Sequence, residues 1–345
     1  ALGAPAAPSD EDLGWLGTVA SWIEVPASDG PVLLDPAMRA DEAFKRVLHR
    51  QVDVMRLNEE GTRKALDPEF LHDFRVAVRR TRAALSKAKD VLPTPRVESA
   101  KRAFRWLGDV TSPRRDLDVH VLNCPTYEAA LPASTRPHLA PLQAHLEDRQ
   151  AAVQKPLVRA LGSARYRRLL ASWQAFLEQP GAERTRLRLA ARPALEVANR
   201  LIARQHRRLL ERGSRIDDHS PAERLHRVRL DGKKLRYLLE FFRSLYDAKA
   251  IQAHVKALKR LQDCLGDFND YEVQQGALQE AAREMVEEQE APPETLVAVG
   301  QLVESLAARQ QRERERFLEV FGTFAADVNR ARACELFGRK AEPRP

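Results

Sequence analysis

From about position 36 onward the apolar residues of this chain recur at spacings of three and four, and no stretch keeps the period of two that a strand requires. The clearest window holds Leu71, Phe74, Val78 and Leu85, which share one side of a helix. Read this way, the pattern predicts helices over 36–65, 68–91, 96–110, 116–124, 137–162, 164–178, 193–213, 221–246, 250–265, 270–290, 294–313 and 315–337. Asp35-Pro36 and Asp67-Pro68 each offer a capping carboxylate followed by a proline at the first helical position. Pro93 and Pro95 close one helix, and Ser220-Pro221 opens another. The fold class is therefore all-α.

Beside the apolar stripe of the second helix runs a polar one. His72, Arg75, Arg79 and Arg82 stand at i, i+3, i+7 and i+10, which places one imidazole and three guanidinium groups along about 15 Å of one face. The same arrangement returns 154 positions later, where His226, Arg229, Lys233 and Arg236 flank the apolar stripe Leu225, Val228, Leu235 and Leu239. Arg80 becomes Lys234 at that offset. It also carries Glu42, Arg46, Arg50 and Gln51 onto Glu196, Arg200, Arg204 and Gln205, and Arg102, Arg105, Asp109, Asp116 and Val119 onto Lys256, Lys259, Asp263, Asp270 and Val273. Leu142, Leu146, Arg149 and Gln150 match Leu302, Leu306, Arg309 and Gln310 at 160, so six residues are inserted between the matched blocks. A repeat this long makes the chain two copies of one helical unit. Each has about four long helices or more, enough for an antiparallel bundle.

Composition narrows the class without choosing a function. Of 345 residues, 31% are charged, 43% hydrophobic and 6% aromatic, as expected of a folded, helix-rich chain with a wet surface. A net charge of +8 favours anionic partners. Cys124, Cys264 and Cys334 have neither metal-ligand nor disulfide-framework spacing, so a reducing compartment is expected, and neither a metal nor a cofactor. No apolar run approaches the roughly 18 residues of a membrane span, and the start Ala-Leu-Gly-Ala-Pro lacks the basic region of a signal peptide, so a cytoplasmic protein is expected. Residues 1–35, rich in Ala, Pro, Gly and Asp around Trp15 and Trp22, read as a linker or the remnant of something upstream. The repeats are expected over 36–190 and 191–337, with a flexible tail at 338–345.

A lone arginine stripe is most often a solvated helix face. Two diverged copies argue otherwise, because solvated charges drift as Asp73 has against Arg227, or Lys87 against Phe241, while the stripes remain cationic. Stacked like charges cost a helix a few tenths of a kcal/mol per pair, so something must neutralise them. Arginine grips phosphate oxygens bidentately and lysine adds a point charge, which suits a row of both to a chain of phosphates. The imidazoles add a donor near neutral pH and become cations below about 6.5. Asp116, Asp118, Asp270 and Glu272 sit at expected helix starts, where capping or pairing with an arginine explains them better than metal ligation.

Taken together, His72-x-x-Arg75-x-x-x-Arg79-Arg80-x-Arg82 with Arg115-Asp116-Leu117-Asp118-Val119 downstream, and His226-x-x-Arg229 with Leu265-Gly266-Asp267-x-Asn269-Asp270, resemble the CHAD family, the conserved histidine α-helical domain. The likeness covers about 36–337. It implies two antiparallel four-helix bundles related by a pseudo-twofold axis around a basic central pore or groove that binds inorganic polyphosphate, and in some members association with polyphosphate granules. Many relatives carry an upstream CYTH domain with a Glu-x-Glu-x-Lys signature, which is absent here. Asp231-Gly232 replaces the small apolar pair expected there, and Asn269 stands opposite Arg115.

On this reading Arg46, Arg50, His72, Arg75, Arg79, Arg80, Arg82, Arg102, Arg105 and their partners Arg200, Arg204, His226, Arg229, Lys233, Lys234, Arg236, Lys256 and Lys259 bind polyphosphate without catalysis. The competing enzyme would use His72 or His226 as phosphohistidine nucleophile or general acid in phosphoryl transfer or polyphosphate hydrolysis. The sequence offers it no phosphate-cradling glycine loop and no magnesium carboxylates. Sequence-nonspecific nucleic-acid binding is disfavoured because the stripes lack stacking aromatics, Tyr237 excepted.

Overall fold

The structure, a computed structural model, describes residues 32–181 and 186–338. Within them the helices are α1 (Ala40–Lys64), α2 (Pro68–Leu85), α3 (Thr94–Ala129), α4 (Ala140–Leu161), α5 (Ala164–Glu178), α6 (Ala194–Gly213), α7 (Ala222–Phe241), α8 (Ala248–Glu287), α9 (Pro293–Phe324) and α10 (Asp327–Phe337). Short 3-10 turns occupy Arg136–Leu139 and Arg243–Leu245. The expectations for Trp15, Trp22 and most of the two ends fall outside the described residues. Residues 32–35 lie against the fold: Leu34 is buried, and its N–H donates to Ser244 Oγ at 3.1 Å.

Local chemistry accounts for several boundaries. Asp67 accepts from the Glu69 N–H at 2.7 Å with Pro68 at the first turn of α2, Ser163 caps α5 through Tyr166 N at 3.2 Å, and Asp247 caps α8 through Ala250 N at 2.9 Å. α1 ends where Ala65 turns left-handed at φ 50.

The main departure from the sequence expectation is helix length. The breaks expected at 110–116, 265–270 and 313–315 do not occur, so α3, α8 and α9 run for 36, 40 and 32 residues. A proline inside a helix costs about 3 kcal/mol, yet α3 continues through Pro113. Its turn there is braced from outside by Arg75, whose Nη1 donates to Gly108 O at 3.0 Å and to Thr111 Oγ1 at 2.8 Å, and from within α3 by Ser112 Oγ, which donates to Gly108 O at 3.1 Å. In α8 the turn-forming residues Gly266, Asn269 and Asp270 are overridden by extensive packing against α9. With no helix start at 116 or 270, the capping role expected for Asp116, Asp118, Asp270 and Glu272 is excluded.

The first three helices of the second half, α6, α7 and α8, begin 154 residues after α1, α2 and α3. Each half has four longer helices and a shorter fifth, α5 or α10. Equivalent helices touch: α1 meets α6, α2 meets α7, and α4 meets α9. The antiparallel bridge between Arg39 and Pro193 likewise joins positions one offset apart. Buried side chains gather in two clusters, and both draw on the two halves. The larger spans Phe44, Phe74, Phe104, Trp173, Phe242 and Phe317. The smaller packs Tyr127, Leu142 and Leu146 against Leu278, Met285 and Leu302.

Candidate functional site

Because α2 and α7 touch, the two cationic stripes belong to one region, and their members have different jobs. Arg75 is largely an internal brace, spent on Gly108 and Thr111 of α3. Burial pushes it down to about 10, still a full cation near neutrality. Its counterpart Arg229, 13% exposed, pairs instead with Asp270 at 3.3 Å. Burial also lowers Arg229, against the opposing pull of Asp270.

Arg79 is the residue that joins the halves. It is exposed on α2, and among the described residues it forms no ion pair. Its charge acts on His72 and Arg75 of its own half and on Arg229 and Lys233 of the other. Burial first, then Arg229 and Arg79, pushes Lys233 down to about 8. Arg82, also exposed, comes close to Gly108 and adds its charge beside Arg75.

Arg80 and Arg236 share one carboxylate from opposite sides. Glu240 accepts from Arg80 Nη2 at 2.9 Å and from Arg236 Nε at 2.5 Å, tying α2 to α7. Lys234 stands in a second cationic group with Lys87, Arg204 and Arg208. Burial first, then Lys234 and Arg208, pushes Lys87 down to about 8, and its Nζ donates to Gln205 Oε1 at 2.6 Å across the halves. Lys259 pairs with Asp263 at 3.6 Å. Arg50 lies half-buried on α1, and Arg46, Arg102, Arg105, Arg200 and Lys256 are exposed on α1, α3, α6 and α8. Among the described residues no hydrogen bond or ion pair joins those five to the α2–α7 cluster.

The histidines differ from each other and from the sequence expectation. Arg115 Nη2 lies 2.7 Å from His72 Nδ1. A guanidinium can only donate, so Nδ1 accepts and the proton sits on Nε2. Burial first, then Arg115, Arg79 and Arg75, pushes His72 down to about 4. His72 is therefore neutral at pH 6, which corrects the expectation that it becomes a further cation below 6.5. His226 Nδ1 faces Asn269 Oδ1 at 2.9 Å instead.

Sequence reasoning left Arg115, Lys87, Arg208 and Glu240 out of the candidate site. Arg115 was visible within the motif, but its equivalent is Asn269. Lys87, Arg208 and Glu240 have Phe241, Val54 and Ser86 as repeat partners, so a search for doubled positions passes over them. The departure at Asp231 is resolved: this fully buried carboxylate accepts from Arg212 at 2.7 Å and from Gln205 at 3.2 Å, with Arg208 3.4 Å away.

Two groups bring three ligand atoms within 4.8 Å of one another, Glu69 with His72 and Asp73, and His145 with Glu288 and Glu290. In the first, His72 Nδ1 is occupied by the Arg115 cation, which opposes a metal. In the second, His145 lies 3.3 Å from Glu284 and 3.6 Å from Glu288, in the α4–α8 region rather than at α2–α7.

Fold and site together define an all-helical protein with a duplicated unit and a cationic cluster built by both copies. The profile of the CHAD domain matches residues 46–279, so the chain belongs to the CHAD family. The crystal structure of the CHAD domain from the plant Ricinus communis is similar, with a TM-score of 0.70 at 29% identity over 85% of this chain and 94% of that one. PptA from Streptomyces chartreusis shares the fold, with a TM-score of 0.58 at 18% identity over 82% of this chain and 99% of that one. A search of curated proteins gives no match. No helix among the described residues is long and apolar enough to cross a membrane.

Proposed function

We propose that this protein binds inorganic polyphosphate without catalysis, through a basic groove formed where α2 and α7 meet across a pseudo-twofold axis. The carrying observation is Arg79, whose charge reaches Arg229 and Lys233 of the other half while forming no ion pair among the described residues. Desolvated like charges gathered from two helices raise one another's free energy, and a polyanion relieves that cost along its whole length. The Arg39–Pro193 bridge and the contacts between equivalent helices support the twofold relation, since equivalent positions that pair antiparallel are related by a twofold rather than by a translation. Arg75, Arg80, Arg229 and Arg236 form the wall of the groove, and Arg79, Arg82 and Lys233 meet the phosphates. The cytoplasm and polyphosphate granules are the places where such a ligand would engage it.

Calorimetric titration with long-chain polyphosphate, triphosphate, RNA and duplex DNA at matched phosphate concentration tests this. Polyphosphate should bind more tightly than triphosphate, because only joined phosphates engage cations from both helices at once. Equal affinity for the two, or tighter binding of either nucleic acid, overturns the proposal.

A further inference from the structure

We propose that the two motif histidines meet the polymer with opposite chemistry: His72 as a fixed N–H donor, and His226 as a lone-pair nitrogen that must take up a proton before a phosphate can sit against it. This rests on the polyphosphate reading and adds to it a pH dependence located in one half.

The difference starts from one position in the repeat. Arg115 occupies it in the first copy and Asn269 in the second. Arg115 donates to His72 Nδ1 at 2.7 Å, so that imidazole carries its proton on Nε2. In the second copy the orientation is set by a short chain of bonds. Asp270 can only accept, so Asn269 turns its Nδ2 toward Asp270 Oδ1 at 3.3 Å and its Oδ1 toward His226. That oxygen, 2.9 Å from His226 Nδ1, accepts, and Nδ1 therefore holds the proton while Nε2 keeps a lone pair.

Neither Nε2 is among the buried atoms that lack a partner, and His226 is an exposed residue. Internal phosphates of the polymer are ionised near neutral pH and offer acceptors only. His72 Nε2–H can donate to them as it stands. At His226 a phosphate oxygen would face a lone pair until a proton from solvent occupies Nε2. The imidazolium then donates from both nitrogens and keeps its bond to Asn269. Along its own helix His226 has Glu223 one turn before it and Arg229 one turn after it; Arg229 pairs with Asp270 of α8 and feels the charge of Arg79 from α2. Asp270 is already shared between Arg229 and Asn269, and no carboxylate among the described residues lies within ion-pair distance of His226. The bound phosphate is thus what stabilises the added proton.

The first measurement needs no ligand. Long-range proton–nitrogen NMR on the full chain should show His72 as the Nε2–H tautomer and the neutral form of His226 as Nδ1–H, with Asn269→Arg moving His226 to Nε2–H. The second is polyphosphate titration between pH 7 and pH 5.5 in buffers of different ionisation enthalpy, a window below the pH near 8 at which Lys233 takes up its own proton. Affinity should rise on acidification, by no more than about tenfold per pH unit, with uptake of one proton. His226→Ala and His226→Gln should both abolish the rise and the uptake, whereas His72→Ala should keep them. Identical tautomers at the two sites overturn the proposal, as does binding whose affinity is flat with pH or whose rise survives in both His226 variants. Those outcomes leave the polyphosphate reading standing. Absence of polyphosphate binding at every pH overturns both.

Discussion

At the scale of single residues, burial decides which charges are structural and which are available. Arg79→Ala should weaken polyphosphate binding, and it should also raise Lys233 from about 8 toward its ordinary value, because a neighbouring cation has gone. Titration of the Lys233 ammonium by NMR checks this, and an unchanged Lys233 would break the link between the halves. Asp231→Ala should cost about 3 kcal/mol in urea unfolding, since Gln205 loses a buried acceptor and Arg212 its ion-pair partner. His206 and His254 give the chain an acid sensitivity unrelated to the ligand. Both are buried, with ring centroids 5.2 Å apart, and among the described residues His206 Nε2 and both nitrogens of His254 lack a hydrogen-bond partner. Burial pushes each down to about 4. The unfolded chain therefore binds more protons than the fold between about pH 6.5 and 4, and stability present above that window is lost on acidification, by up to about 3 kcal/mol per histidine. Urea midpoints at pH 7 and pH 5 should show the fall. His254→Phe, which suits the neighbouring Phe324 and Phe337 rings, should reduce it.

At the scale of elements, the start of α2 was legible because Asp67 and Pro68 act through the local backbone, and the starts of α6 and α7 fall within a residue of expectation, with Pro193 and Pro221 at their N-cap positions and no side-chain cap. Lengths were less legible. Pro113 and the Gly266–Asp270 stretch are local breakers, and the energy that overrides them comes from Arg75 across the gap to α3 and from α9 along α8. Neither partner is near in sequence. A similar long-range effect operates at Gly213, where an added Cβ would run into the Phe321 ring of α9. Gly213→Ala should therefore destabilise by about 1–3 kcal/mol, although the same change in an exposed helix stabilises by about 1 kcal/mol. A higher melting temperature for this variant would show that the ring moves aside freely.

For the whole molecule, a linear polyanion on a shared cationic cluster implies a steep loss of affinity with salt, as counterion release requires. Calorimetry from low to physiological salt should show a linear fall of log affinity with log salt, and a flat line would place binding elsewhere. The sequence by itself determined the helical class, the duplication at 154 and the two cationic stripes, because each is a periodicity, and a periodicity is carried by near neighbours along the chain. It could not rank the cations within a stripe. Which are braces, which are paired and which stand open depends on groups 33 to 160 residues away, such as Gly108 for Arg75 and Glu240 for Arg80. The tertiary structure alone decided that His72 stays neutral, that one carboxylate joins Arg80 to Arg236, and that Lys87 and Arg208 belong with Lys234. Burial and charge–charge coupling act through space, and only the packing of α2 against α7 brings those charges within reach of one another.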